Sequence, residues 1–550
     1  MQTAPRTNVG STPSSRCVIA PRNNRSGITG GSITVAAIPS GNVLPLMEAM
    51  RLHDLPFVLT AHEGSAGFAA DVMGRMTGAP GLCVATLGPG ATNLATGIGS
   101  AWLDRSPMIA ITCNLNTDQL CRRIQMNIDH HQLFSPITKA SLGLREGSVA
   151  EYVVEAVRIA MSEPMGPVHL DLPENVSVAL ANENLPELAV PEPISPALDK
   201  DIQIGINILA DAHRPVAVIG TNAMRLKNID LLRSFIDRHR IPFFNTTMTK
   251  GLIDEDHPLS CGCIERSKRQ IQREFLRQAD LIIGLGYDTI EVEYEAWIGD
   301  TPLLHIDIEK VDIIPSVQLL AEVTGDLQNS LRAFSVADKI ANDWIPSDVA
   351  THREAFQAAL RPKVVNFAPH HLIDIVRDVL PSDGILTFDV GAHTHQIASQ
   401  WTAHAPRQCH ITNGWSSMGF GLPAAIAAKI AQPAKAVVCL IGDGCFQMTC
   451  GELATAKRLN LCLPVVVIDD GWLGLIRVKQ ERRQLTVYGT ALKAEEYSSE
   501  PPEHYFGAPA IGVRDGEALQ TALAAALEAS GPTVIEAIVD ADHYLETVFD

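Results

Sequence analysis

Short, nearly continuous apolar runs alternate with longer Ala/Leu-rich stretches along this chain, as at 215–219, 281–284, 437–441 and 464–468. Apolar runs of that length without polar alternation are strands buried on both faces, and strands that alternate with helices build parallel sheets. Two Pro-rich stretches interrupt the alternation, one at 182–200 (NENLPELAVPEPISPALDK) and one at 344–369 with a short helical piece inside. At about 150 residues per domain, 550 residues make three to four domains. The expected fold is therefore α/β, with three doubly wound parallel-sheet domains at 31–185, 198–345 and 365–550. A disordered leader is expected at 1–30.

Composition narrows the function classes. Hydrophobic residues at 46% against 19% charged give every domain a full core. Lys plus Arg is 43 and Asp plus Glu is 62, a net charge of −19. Such a surface does not suit nucleic acid, which requires clustered cations, but it leaves room for one small anion held by amides or a metal. No apolar run approaches the ~18 residues of a membrane span, so no membrane partner is expected. Of the 11 cysteines only Cys261 and Cys263 lie close together. The others, such as Cys439 and Cys462, read as small buried hydrophobes in a reducing compartment. The expected location is cytoplasmic. Residues 1–47 lack Asp and Glu, however, and the first 27 carry four arginines, so an organelle transit peptide is the alternative.

The first and third blocks echo each other. Gly67-Phe68-Ala69-Ala70 opens an Ala-rich helix before a strand at 82–86 and Gly88-Pro89-Gly90. Gly419-Phe420-Gly421 opens another before a strand at 437–441 and Gly442-Asp443-Gly444. Open α/β sheets bind ligands at such strand ends. The segment 442–472 (GDGCFQMTCGELATAKRLNLCLPVVVIDDGW) places Asp443 and Asp470 at the ends of two neighbouring strands, with a helix at 452–459 between them. Hard oxygen ligands of this kind suit Mg²⁺, and the glycines beside Asp443 let amides approach a diphosphate. Taken singly, either aspartate reads equally as a cap on an ordinary turn.

That segment resembles the metal–diphosphate motif of thiamine-diphosphate (ThDP) enzymes, which opens Gly-Asp-Gly and closes Asn-Asn. Here Asp469-Asp470 stands for Asn-Asn. The resemblance implies that Asp443 and Asp470 ligate Mg²⁺ through side chains and Trp472 through its carbonyl, and that Gly442, Gly444 and Cys445 border the diphosphate. Thr60-Ala61-His62-Glu63, with TLGPGATN at 86–93, resembles the family's pyrimidine-binding domain. Glu63 then shares a carboxyl proton with the aminopyrimidine as the catalytic residue, beside Pro89 and Asn93. Ile38-Pro39-Ser40-Gly41-Asn42 resembles the Pro-Gly-Gly turn, which makes Pro39 and Gly41 cofactor contacts. Val390-Gly391-Ala392-His393 resembles a diphosphate turn, contributing Gly391 and His393. In NGWSSMGFGLP (413–423), Met418 matches the apolar prop under the cofactor, and the backbone of Ser416 and Met418 matches the pyrimidine contact. The central block becomes a nucleotide-fold spacer.

Two stretches, IDHHQLFSPITK (128–139) and GYDTIE (286–291), resemble FAD-independent, catabolic-type acetolactate synthases, and the Arg-Phe-Asp-Asp-Arg run of flavin-containing members is missing. The implied function is ThDP- and Mg²⁺-dependent decarboxylation of a 2-oxo acid, pyruvate foremost, with ligation to a second carbonyl, without FAD and in a homodimer or homotetramer. The cofactor supplies the electron sink. Asn114, Trp472, Leu475 and Ile476 are the substrate-lining candidates; the last three lie in the segment 471–488, which covers the site in the family, and each of them reads equally as ordinary helix packing. Gly64, where the family carries Gln, and the altered pair Cys113-Asn114 leave open a non-ligating decarboxylase or a lyase on another acyl donor. A non-catalytic assembly protein is the third reading, opposed by the retention of Glu63, Asp443 and Asp470.

Overall fold

The computed structural model describes residues 34–548 apart from 182, 185, 188, 189 and 494–499. The expected leader at 1–30 lies outside the described residues. Three sheets are present, and they follow the alternation read from the sequence. The first comprises β1 (Val35–Ala37), β2 (Phe57–Leu59), β3 (Gly81–Thr86), β4 (Met108–Asn114), β5 (Ala140–Gly143) and β6 (Pro167–Pro173), in the order β2-β1-β3-β4-β6-β5. The second comprises β7 (Pro215–Ile219), β8 (Phe243–Asn245), β9 (Ser260–Cys263), β10 (Leu281–Leu285), β11 (Leu303–Asp307) and β12 (Leu319–Thr324), in the order β12-β11-β10-β7-β8-β9. The third comprises β13 (Ile385–Phe388), β14 (Cys409–His410), β15 (Val437–Gly442), β16 (Leu463–Asp469), β17 (His504–Tyr505), β18 (Ala508–Val513) and β19 (Pro532–Ile538), in the order β14-β13-β15-β16-β19-β18-β17. Among the described strands all pairings are parallel except β17 with β18. The central strands are buried along their whole length because helices cover both faces.

Each sheet has a strand-order reversal in its interior, where successive connections leave to opposite sides: between β1 and β3, between β7 and β10, and between β13 and β15. At such a reversal the connections leave in opposite directions, and the strand ends open a crevice. The loops at 38–42 and 87–90 flank the first crevice, and those at 389–392 and 442–444 flank the third. The resemblance assigned cofactor contacts to these same loops.

The helices begin earlier than the sequence suggested. The Ala-rich helix expected to open at Gly67 spans Glu63–Thr77, so Glu63 is its first residue. Gly442-Asp443-Gly444 is not a free turn, because a helix Asp443–Thr449 starts at Asp443 before the second helix, Glu452–Arg458. The turn at 390–393 likewise runs into a helix Ala392–Gln400. In all three at most three residues separate the strand end from the helix, and the acidic or polar residue occupies the first turn, where the N-terminal N–H groups are free to bond.

The first and third domains share one core. Helix Glu63–Thr77 packs against helix Pro89–Leu103 and, on another side, against helix Gly421–Ala431. Phe68 meets Phe420 edge to face at 5.6 Å. The first crossing is close because it is glycine on glycine: a Cβ on Gly67 would lie 2.7 Å from the Cα of Gly97. A buried ion cluster pins the joint. Arg75 pairs with Asp71 (2.6 Å) and Asp104 (2.9 Å) and donates to the Ile411 carbonyl (2.6 Å). Asp104 accepts the N–H groups of Asn413 (3.0 Å) and Gly414 (2.7 Å), which fixes the segment leading to Met418. Helix Pro346–Ala359 rests on the central unit, with Trp344 stacked on Phe275 at 4.6 Å and the His352 ring bonded to the Cys261 carbonyl at 3.2 Å.

Candidate active site

The aspartate pair sits where β15 and β16 finish side by side, with Gly442 paired to Ile468. Asp443 Oδ1 accepts the Gly444 N–H (2.8 Å), and Oδ2 accepts that of Gly471 (2.9 Å). Asp470 Oδ1 accepts the Trp472 N–H at 2.8 Å. Burial, then the neighbouring carboxylates Asp470 and Asp469, push Asp443 up to about 8. Burial drives Asp470 up to about 7. Carboxylates confined together in this way are relieved by a divalent cation. Trp472 faces Ala491 across a short antiparallel bridge, and the bridge's hydrogen bonds run from Leu473 N to Thr490 O and from Leu492 N to Gly471 O. The Trp472 N–H and C=O therefore both point away from that partner, and the N–H meets Asp470. Two carboxylates and a carbonyl make a hard-oxygen set that fits Mg²⁺. The charge added by Asp469 is met locally by a salt bridge with Lys493, a residue the sequence reading missed.

Beside the aspartates lies a polar cradle. The His393 ring sits between Gly391 and Gly442, and a Cβ on either glycine would approach the ring's Cε1 to 2.7 Å. His393 Nε2 is buried with no protein partner, and burial followed by His395 lowers the imidazole to about 4. A buried, orphaned ring nitrogen next to two obligatory glycines fits a bound anion such as diphosphate once that nitrogen carries a proton. The Cys445 thiol donates to the Val390 carbonyl at 3.0 Å, so only its main chain is left for such an anion. Met418 is half-buried, with its Cε 3.4 Å from a Cβ placed on Gly444. Asp389, also missed from sequence, accepts the N–H groups of Gly419 (3.0 Å) and Gly421 (2.8 Å) and so fixes the Met418 loop. Ser416 sits exposed at φ 49, its hydroxyl donating to the Asn413 carbonyl at 2.7 Å.

A second cluster occupies the first crevice. Glu63 Oε2 accepts Asn93 Nδ2 at 3.0 Å, and its Oε1 lies beside Gly90, where a Cβ would come within 2.8 Å of the Thr86 Cγ2. Pro89 and Asn93 are exposed while Glu63 is buried. Across the crevice Ser40 donates to Thr86 at 2.5 Å, and this bond closes the loop of Pro39 and Gly41 onto β3.

The substrate candidates fall in different surroundings. Asn114 turns inward: its amide donates to both Asp171 oxygens at 3.0 Å within a buried network of Thr112, His130, His169 and Asp171. The Gly88 N–H donates to His130 Nε2 (3.3 Å), which leaves the His130 proton on Nδ1, facing Asp171 at 2.9 Å. These groups are thus mutually satisfied by hydrogen bonds. Trp472 lies under Arg477, whose guanidinium is 4.8 Å from the ring. Leu475 packs with Ala392, Val478, Tyr544 and Val548, whereas Ile476 on the same helix is 44% exposed.

The comparisons with known proteins agree with this geometry. Residues 31–133 match the thiamine pyrophosphate enzyme N-terminal TPP binding domain, 202–334 the central domain and 389–537 the C-terminal TPP binding domain. The acetolactate synthase large subunit of Lactococcus lactis is 31% identical over 454 residues, covering 80% of this chain and 79% of that protein. The acetolactate synthase large subunit of Parasynechococcus marenigrum is 29% identical over 531 residues (92% and 85%), and the acetolactate synthase of Bacillus subtilis is 28% identical over 524 residues (93% and 91%). With three TPP domains in order and relatives aligned along most of its length, this chain is a thiamine pyrophosphate enzyme and belongs to the acetolactate synthase family.

Proposed function

We propose that the enzyme holds ThDP with Mg²⁺ and decarboxylates a 2-oxo acid, pyruvate foremost, joining the product fragment to a second carbonyl as an acetolactate synthase does. The observation that carries this reading is the juxtaposition of the buried Asp443/Asp470 pair with the His393 cradle at one strand-order reversal. Asp443, Asp470 and the Trp472 carbonyl would hold the metal. Gly391, His393, Gly442, Gly444 and the Cys445 main chain would hold the diphosphate, and Met418 would prop the rings. When bound, ThDP supplies the electron sink for loss of CO₂. Glu63, buried and oriented by Asn93, would share a carboxyl proton with the aminopyrimidine.

The functional unit is a homodimer or homotetramer, in which Glu63 of one subunit serves the metal end of another. The exposed Pro89 and Asn93, with Met448 61% exposed near the end of the helix that starts at Asp443, support that reading. We assign no flavin to the central unit. A Cβ on Gly220 would lie 2.4 Å from the Tyr287 Cα, so the crevice between β7 and β10 is closed by backbone against backbone. Among the described residues no helix is long and apolar enough to cross a membrane.

Calorimetry with ThDP, with and without Mg²⁺, tests the cofactor, and no metal-dependent uptake would refute it. Product analysis with pyruvate tests the chemistry. Acetolactate with CO₂ is expected, and acetaldehyde alone would make the enzyme a simple decarboxylase.

A further inference from the structure

Strand β2 ends at Leu59, and the helix that presents Glu63 starts four residues later. The intervening residues 60–62 set where the Glu63 carboxyl can go. They are gripped by a helix of the third domain. Glu452 Oε1 accepts the main-chain N–H groups of Ala61 (2.9 Å) and His62 (3.1 Å). The Thr455 hydroxyl lies between Glu452 Oε2 (2.8 Å) and the Leu59 carbonyl (3.2 Å). Arg458 donates to the same carbonyl at 2.5 Å. Residues 452, 455 and 458 recur at three-residue spacing and so share one face of their helix.

Glu452 is 1% exposed. A carboxylate buried that deeply takes its place from the donors around it, and those donors are fixed in return. Its charge also lies against the N-terminus of the Glu63 helix, where an anion is favoured. The His62 imidazole caps the same helix, with Nδ1 accepting the Gly64 N–H at 3.0 Å. Every link therefore bears on the helix end whose first residue is Glu63.

We propose that Glu452 is a positioning residue: it clasps the Ala61 and His62 amides from another domain and thereby fixes the orientation in which Glu63 meets its partner. The proposal rests on the proton-sharing role assigned to Glu63 above. Both amides bond the one oxygen Oε1, so a glutamine at 452 keeps the clasp while an alanine removes it.

The test compares wild type, E452A, E452Q and R458A. Amide hydrogen exchange over 59–66 is read in the cofactor-free protein. Affinity for ThDP with Mg²⁺ is read by calorimetry, and deuterium exchange at the cofactor C2 position and kcat with pyruvate are read in the loaded enzyme. In E452A the amides at 61–66 should exchange at least about tenfold faster. C2 exchange and kcat should fall together by about ten- to a hundredfold while the dissociation constant moves less than about threefold. E452Q should restore all of these, and R458A should show a smaller change in the same direction. Unchanged C2 exchange and kcat in E452A would overturn the proposal, as would an E452Q as impaired as E452A or a loss of affinity as large as the loss of rate. If E452A does not fold, R458A decides, and unaltered amide exchange at 59–62 in that variant overturns the clasp. Wild-type protein that takes up no ThDP refutes the proposed function instead, and amide exchange in the cofactor-free variants then judges the clasp alone.

Discussion

The third and central domains are the same kind of object with opposite outcomes at the strand-order reversal. In the third domain Gly391 and Gly442 leave space that only the His393 ring enters, and that ring keeps an unpartnered nitrogen. In the central domain Gly220 and Gly286 let the two loops touch, with Asn222 N–H donating to the Gly286 carbonyl at 2.9 Å. Two acids fill what remains. Glu291 accepts the Thr221 N–H at 2.7 Å, and Asp307 accepts Asn222 Nδ2 at 3.0 Å. Burial holds Glu291 far above the usual carboxylate range and raises Asp307 to about 7. A reversal is thus only a place where a site can form. Glycines create the site when a side chain keeps the loops apart, and they abolish it when backbone meets backbone.

The largest expected effects break the catalytic side of that comparison. Asp443→Ala should abolish metal-dependent ThDP uptake in a calorimetric titration. Glu63→Gln should lower turnover by about a hundredfold or more while the ThDP dissociation constant changes less than about threefold; equal turnover would remove Glu63 from the chemistry.

Matched alanines at the two reversals sharpen it. Gly442→Ala intrudes on His393 and should weaken ThDP affinity by about tenfold or more, with little change in the melting temperature of the cofactor-free protein. Gly220→Ala forces a backbone apart and should cost about 1–3 kcal/mol of stability in denaturant unfolding while leaving ThDP affinity alone. The opposite assignment of the two losses would show that the closed crevice takes part in cofactor binding.

Acid should affect both domains alike. Burial lowers His393 to about 4 and His410 to about 3 in the third domain, and His305 and His352 to about 4 in the central one. Each ring binds its proton less readily folded than unfolded, so the unfolded chain gains protons first. Each ring therefore costs stability as pH drops from about 6.5 toward 4, by up to about 1.4 kcal/mol per pH unit, while the raised carboxyls Asp443, Asp470, Asp307 and Glu291, which hold their protons more readily folded, act in the opposite sense. Denaturant melts of wild type and His352→Gln at pH 7 and 5 isolate one ring: the variant should lose less stability on acidification than wild type, and an equal loss would contradict the assignment. The smallest effect is expected at Ile476→Ala, where a half-exposed side chain should shift KM by less than about threefold.

Much of this was legible in the chain. The strands at 215–219, 437–441 and 464–468 were plain because a strand buried on both faces has no polar alternation. Asp443 and Asp470 stood out as candidates because they end two strands beside glycines, whereas Glu63 was singled out only through the family resemblance of its segment. The misses are long-range. Glu452 reads as one more acid on a helix, and its meaning lies 391 residues away at Ala61. Lys493 offered no sign that it answers Asp469, nor did Asn114 show that its amide is committed to Asp171. Only the spacing of Glu452, Thr455 and Arg458 along one helix face was available as a hint.

The sequence alone determined the layer architecture, the three-part division and the placing of Asp443 and Asp470 at two strand ends, because hydrophobic periodicity and short motifs are properties of neighbouring residues. The tertiary structure decided which of three equivalent crevices stays open, which acids are neutralised and what holds Glu63 in place. Those outcomes depend on which side chains meet across hundreds of residues and on how far each is withdrawn from water, and no local pattern encodes either.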